Sequence, residues 1–153
     1  MHARMKLRRA ALCAAMLIGL TTTPALGDVS GLAVMMERMQ TYTHKLQLSV
    51  AADNAKLADL YLHELEEAAE YVVDNLPYYH DFPVGELTRE MLLPAIEALE
   101  DALDEGDWAD SGDRFTKLLD SCNACHAATG KGYVRIVPAA GNPFAQDFSV
   151  IED

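Results

Sequence analysis

Two cysteines and a histidine in the last third of the chain carry its clearest chemical signal. They belong to the segment Cys122-Asn123-Ala124-Cys125-His126, a C-x-x-C-H motif. Residues three and four apart on a helix share one face, so both thiols and the imidazole are expected to point the same way. Thiols placed so can add to the two vinyl groups of a haem while the imidazole ligates its iron. The motif therefore predicts covalent haem c, with His126 as the proximal ligand.

Two other uses of a C-x-x-C pair compete with this interpretation. A redox-active dithiol is typical of a βαβ context, and no strand pattern surrounds Cys122 and Cys125. A structural zinc site would need a fourth ligand at suitable spacing, and the sequence offers none near the motif. Both alternatives are therefore disfavoured.

The N-terminal segment has the three parts of a secretory signal peptide. Basic residues (Arg4, Lys6, Arg8 and Arg9) precede an apolar run over 10–20, and the small-residue stretch Ala25-Leu26-Gly27 follows. We predict that residues 1–27 are cleaved, that Cys13 is lost with them, and that the mature protein is periplasmic. A retained membrane anchor is the alternative, but the run is shorter than the roughly 20 residues a span needs. No later segment is apolar enough to span a membrane.

The charge of the predicted mature chain is strongly negative. The first 27 residues hold four basic and no acidic side chains. The rest of the chain therefore has 8 basic and 24 acidic side chains, a net charge of −16. Nucleic acid is an improbable partner for such a surface, since phosphate contacts need basic residues. The acidity fits either a plain solvated surface or steering toward a basic partner.

Apolar residues at steps of three and four predict four helices over 30–51, 55–76, 87–105 and 107–129. Asp53 and Asn54 are suitable N-caps for the second helix and Asp107 for the fourth, and Gly106 and Gly130 are suitable stops. Pro94 predicts a kink or a restart inside the third helix. Four such helices with short loops favour an all-α fold, an antiparallel four-helix bundle over 28–130.

The last stretch of the chain, 131–153, lacks helical periodicity and contains several glycines and prolines. We expect an extended C-terminal tail lying on the bundle, with a short strand-like piece at 133–137. Such a tail raises the question of whether it covers the edge of the haem.

The second axial ligand is expected from the first half of the first helix, because that half lies beside the end of the fourth helix in an antiparallel bundle. Three methionines stand there, Met35, Met36 and Met39. A thioether is a known haem ligand, and Met36 and Met39 are ranked equally as candidate distal ligands because they are three residues apart. Methionines at helical spacing are more often core packing, in which case the haem would be five-coordinate.

The remaining histidines and the free cations are weaker candidates. Three other histidines are more typical of surface or capping residues than of iron ligands: His44, His63 and His80. Of these, His44 is the first to test. The haem propionates need cationic partners, and the sequence does not select among Lys45, Lys131 and Arg135.

A C-x-x-C-H motif that closes the last of four helices resembles the class II c-type cytochromes, the cytochrome c′ and c-556 group. The resemblance covers about 30–129, with the stretch from Gly106-Asp107 through Phe115 to His126 resembling the family's last helix. It implies one haem inside the bundle, with the distal face covered by the first helix. Members with a distal Met are six-coordinate electron carriers, and members with an apolar residue there bind NO or CO. The family also often dimerises through its first two helices, and it usually ends soon after the motif, unlike this chain.

The sequence therefore favours a periplasmic mono-haem electron carrier that exchanges electrons with a redox partner protein and is not an enzyme. A five-coordinate, cytochrome c′-like protein that binds NO or CO is the first alternative. A haem enzyme such as a peroxidase is less favoured, because no acid–base constellation can be assigned around the motif.

Overall fold

The computed structural model describes residues 29–151 and shows an all-α bundle. The predicted signal peptide, its cleavage point and residues 152–153 lie outside the described part. The elements, in order, are α1 (Val29–Ala51), α2 (Ala55–Asn75), α3 (Val84–Leu87), a π-helical segment (Thr88–Leu92), α4 (Leu93–Asp104) and α5 (Trp108–Ala128). Within this part of the chain, no helix has both the length and the apolar character that crossing a membrane requires.

The helix ends follow the predicted capping residues. Asn54 precedes α2, and its side chain accepts a hydrogen bond from the Leu57 amide at 3.2 Å. Asp107 precedes α5 and accepts from the Asp110 amide at 3.0 Å, so each cap satisfies one amide that the helix itself leaves free. Gly106 and Gly130 adopt positive φ angles of 70° and 71°, as expected of residues that end a helix.

The third helical stretch is the one that differs most from its prediction. It begins at Val84 rather than at residue 87. Gly85 lies so close to the end of α2 that an added Cβ would be 2.9 Å from the Cα of Pro77, just after that helix. The predicted restart near Pro94 is confirmed, since a new α-helix begins at Leu93 with the proline in its first turn. A proline is tolerated there because its missing amide would have no helical partner.

The core draws fully buried side chains from all four helical stretches. Leu46 comes from α1, Leu65 from α2, Ile96 and Leu99 from α4, and Leu118 from α5. The predicted apolar stripes are the faces that meet: in α1, for example, Leu32, Met35, Met39, Thr43, Leu46 and Val50 are all buried. The hydrophobic period thus determined which face of each helix turns inward.

The C-terminal tail lies on the bundle, as predicted, and is fastened to it at several points. Phe148 is buried in the core, with its ring centroid 6.2 Å from that of Tyr61 on α2. Asn54 donates to the carbonyls of Phe148 and Ser149 at 3.1 and 3.0 Å. The strand-like piece expected at 133–137 is absent from the structure, because the backbone of Ile136 bonds to a side chain instead of to a second strand.

Replacing Phe148 with alanine is expected to lower the free energy of unfolding by about 3 kcal/mol, since it removes a buried aromatic side chain that anchors the tail. Urea unfolding followed by circular dichroism measures this loss. Val150→Ala, at a residue that is 58% exposed, is the matched control and should stay within about 0.5 kcal/mol of the unchanged chain. Equal losses in the two variants would show that the tail is not anchored through Phe148.

Candidate functional site

The end of α5 presents the motif to the interior. Phe115, Leu118 and Leu119 are buried and hold the middle of the helix against the core. Cys122 and Cys125 continue the same face and are only partly buried, since the core opens at this point. Both cysteines are free thiols, so they are available for chemistry.

A cavity of about 550 Å³ lies next to this face. Cys122, Cys125 and His126 all line it. The other walls come from the first half of α1, from α2, from the π-helical segment and from the beginning of the tail; their apolar members include Leu32, Met36, Met39, Leu65, Leu92 and Ile136. The volume is within the roughly 300–1,000 Å³ of small-molecule and cofactor sites, and a mostly apolar wall with a few polar groups is typical of them.

Burial keeps both thiols protonated. It raises the pKa of Cys122 from 9.0 to about 11, with a smaller contribution from the neighbouring Cys125. Burial also raises the pKa of Cys125. Neither cysteine is therefore an activated thiolate at neutral pH, which differs from the low pKa that makes the attacking cysteine of redox dithiols reactive.

The raised pKa of Cys122 makes stability depend on pH in the chain with both thiols free. Because the thiol ionises near pH 11 when folded and near pH 9 when unfolded, its contribution is complete below about pH 9 and is lost as the pH rises to about 11. The expected loss is about 3 kcal/mol in the free energy of unfolding, since one pKa unit corresponds to about 1.4 kcal/mol. Urea unfolding across this range should show it. Cys122→Ala is the control, because it keeps the tyrosines and lysines that also titrate in this pH range. It should lose less stability than the unchanged chain between about pH 9 and 11, and an equal loss would contradict the prediction.

The imidazole of His126 is held by the tail. Its Nδ1 lies 2.9 Å from the carbonyl oxygen of Val134, a backbone acceptor, so the Nδ1 proton is donated to that carbonyl. In the neutral imidazole this hydrogen bond fixes the tautomer and leaves Nε2 with a free lone pair. A histidine held in this way through its other nitrogen is the usual arrangement for a metal ligand.

Two of the three predicted methionines line the same cavity as the motif. Met39 is buried and Met36 is partly buried, and both are on the cavity wall provided by α1. Met35 lies instead in a separate groove between α1 and α2, with Arg38 and Tyr42. The geometry therefore keeps Met36 and Met39 as candidate ligands and removes Met35 from the cavity.

His44, His63 and His80 do not line the cavity. His44 bonds through Nε2 to the Gly141 carbonyl at 2.9 Å, and its ring packs edge-on against Phe144, so it helps to hold the tail. His63 is exposed, with its Nε2 3.5 Å from Oε1 of Glu67, which matches the surface role that the sequence favoured for it.

Among the three cations considered for the propionates, the structure places Lys131 on the cavity wall. Its Nζ lies 5.6 Å from the ring centroid of Tyr79 and 5.9 Å from that of Tyr133. Lys45 lies over the rings of Tyr61 and Phe144, on the part of the bundle that holds the tail. Lys131 is therefore the cation best placed to meet an anionic group at the mouth of the cavity.

Two parts of the site were not anticipated from the sequence. The π-helical segment adds Thr88 and Leu92 to the cavity wall, and π-helical turns often occur at functional sites. Asn123, a variable position of the motif, bonds to the backbone of Ile136. A polar residue inside a motif gives no sequence signal that it will fasten a distant segment.

Comparison of the chain with models of protein families, with curated proteins and with solved structures gives no match. Within residues 29–151, no three or more His, Cys, Asp or Glu side chains are grouped as the ligands of a metal ion. The functional argument therefore depends on the motif and on the cavity that it faces.

Proposed function

We propose that this chain is a periplasmic mono-haem c-type cytochrome that transfers electrons, with its haem bound covalently through Cys122 and Cys125 and ligated by His126. The observation that carries the proposal is that all three motif side chains line one apolar cavity of cofactor size, about 550 Å³. The export signal predicted for residues 1–27 supports the periplasmic location, where disulfide-forming and haem-attaching chemistry takes place.

The residues present fit a haem in both donor chemistry and surroundings. The two neutral thiols would each form a thioether with a vinyl group, and burial lowers their tendency to ionise before attachment. Nε2 of His126 is free to ligate iron because Nδ1 is engaged by Val134. When bound, the haem supplies one reversible one-electron change at its iron.

The chain's own contribution to electron transfer is ligation, burial and a surface for contact. Met36 or Met39 would ligate the distal face and raise the potential, because a thioether favours the reduced iron. Tyr133 and Val134, at the cavity mouth, are 75% and 42% exposed. Apolar residues exposed beside a buried cofactor suit brief contact with a redox partner protein.

One observation favours a second candidate, a five-coordinate haem protein that binds NO or CO. Leu32 and Ala33 line the same wall of the cavity as the two methionines. If the iron faces these residues, its distal side has no ligand from the chain and is open to a small gas. The α1 wall thus contains both kinds of residue that distinguish a carrier from a gas-binding protein.

Absorption spectra of the haem-loaded protein, oxidised, reduced, and reduced with CO, test the proposal. Low-spin bands that do not change with CO indicate two strong axial ligands and an electron carrier. High-spin bands that shift promptly with CO indicate an open distal side, which rejects the carrier and supports the gas-binding protein. A chain that carries no haem after maturation rejects both.

A further inference from the structure

We infer that Asn123 is a positioning residue for the proximal ligand, acting on His126 through the C-terminal tail. This inference rests on the proposed function, because it concerns how the chain tunes the iron that His126 would hold. It assigns a role to a position of the C-x-x-C-H motif that the motif itself leaves variable.

The first observation is a reciprocal pair of hydrogen bonds between Asn123 and the tail. The Asn123 Nδ2 donates to the Ile136 carbonyl at 2.9 Å, and the Ile136 amide donates to the Asn123 Oδ1 at 2.8 Å. One side-chain amide therefore satisfies both backbone groups of one tail residue, which fixes the position and the orientation of the backbone there.

The second observation is that the acceptor for His126 lies in the same short segment. The Val134 carbonyl, two residues before Ile136, accepts from the His126 Nδ1 at 2.9 Å. On the other side of Val134, the Lys131 amide donates to the His126 carbonyl at 2.7 Å. The segment that supplies the acceptor is therefore held at both ends by the last turns of α5, with Asn123 as the side chain that fixes its far end.

The chemical consequence concerns electron donation by His126. An Nδ1–H that donates a strong hydrogen bond makes the imidazole more basic at Nε2, and a more basic ligand stabilises the oxidised iron relative to the reduced iron. If Asn123 no longer held Ile136, the Val134 carbonyl would move and this hydrogen bond would lengthen. The reduction potential would then rise.

A second side chain that bonds to both backbone groups of one tail residue provides a matched control. The Gln47 side chain donates to the Ala139 carbonyl at 3.3 Å and accepts from the Ala139 amide at 2.7 Å. Gln47 lies on α1, and Ala139 lies beyond the segment that touches His126. Gln47→Ala thus loosens the tail without releasing Val134, and separates a general role in holding the tail from a specific role in positioning His126.

The experiment compares haem-loaded full chains of wild type, Asn123→Ala, Asn123→Asp and Gln47→Ala by redox titration and by hydrogen exchange. Asn123→Ala should shift the potential upward and speed exchange of the Ile136 amide by about tenfold, the equivalent of one or two lost hydrogen bonds. Asn123→Asp, which can still accept from Ile136, should give smaller changes in both. Gln47→Ala should leave the potential unchanged.

The outcomes separate this inference from the proposed function. Faster exchange in Asn123→Ala with an unchanged potential would overturn the inference, since the tail would be loosened without effect on His126. An equal shift of potential in Gln47→Ala would also overturn it, because any loosening of the tail would then suffice. A wild-type chain without covalent haem would instead reject the proposed function, and the inference with it.

Discussion

Replacing both Cys122 and Cys125 with alanine is expected to abolish covalent retention of haem by the mature chain. Each thiol would supply one thioether bond, and with both removed only iron ligation and noncovalent contacts would hold the haem. The chain is expressed in a host that exports it and attaches haem c, and the haem left on the protein after extraction with acidified organic solvent is measured. The expected result is loss of essentially all retained haem.

The third cysteine of the chain provides the control. Cys13 lies in the predicted signal peptide, so Cys13→Ala should retain as much haem as the unchanged chain. The single variants Cys122→Ala and Cys125→Ala keep one thiol each and should retain less haem than the unchanged chain but more than the double variant. Full retention of haem by the double variant would disprove thioether attachment.

Replacing the distal methionine with alanine is expected to convert the haem from low-spin to high-spin and to open it to CO. Met36 and Met39 both line the cavity, so one of the two single variants should show this change and the other should not. The same variant should have a lower reduction potential, because the thioether that stabilised reduced iron is gone. Absorption spectra with and without CO, together with a redox titration, measure the two effects.

The free energy of unfolding, measured beside the spectrum, distinguishes a methionine that ligates the iron from one that only packs in the core. Met39 is 7% exposed, so Met39→Ala should also lower the free energy of unfolding by about 2–5 kcal/mol. Met35 is buried but lies in the groove between α1 and α2, so Met35→Ala should lower stability and leave the spectrum unchanged. If neither Met36→Ala nor Met39→Ala alters the spectrum, the distal side faces residues such as Leu32, and the gas-binding candidate is favoured.

The helices and their inner faces could be predicted from the sequence because each depends on local chemistry. Asn54 and Asp107 cap their helices with side chains that reach only three residues along the chain. The stripe from Leu32 to Val50 faces inward because a helix repeats every 3.6 residues. The antiparallel arrangement expected for four helices with short loops predicted that the first half of α1 lies near the motif, and both do line one cavity.

The contacts of the tail could not be predicted because they join residues far apart in sequence through backbone groups. Any residue has a carbonyl, so nothing in the sequence selects Val134 as the acceptor for His126. The π-helical segment was also missed: it lies between Gly85, which packs closely against the end of α2, and the helix restart at Pro94, and only the restart has a sequence signal. The motif is the basis of the proposed chemistry, whereas the tail and the π-helical segment complete its surroundings.

Mass spectrometry of the tryptic peptide that contains the motif tests covalent haem attachment most directly. Cleavage after Lys117 and Lys131 releases one peptide, 118–131, that contains Cys122, Cys125 and His126. From the exported, mature protein, covalent attachment predicts this peptide with the mass of one added haem and with no thiol that reacts with an alkylating reagent. The same peptide at its unmodified mass, with both thiols alkylated or joined in a disulfide, would contradict covalent attachment.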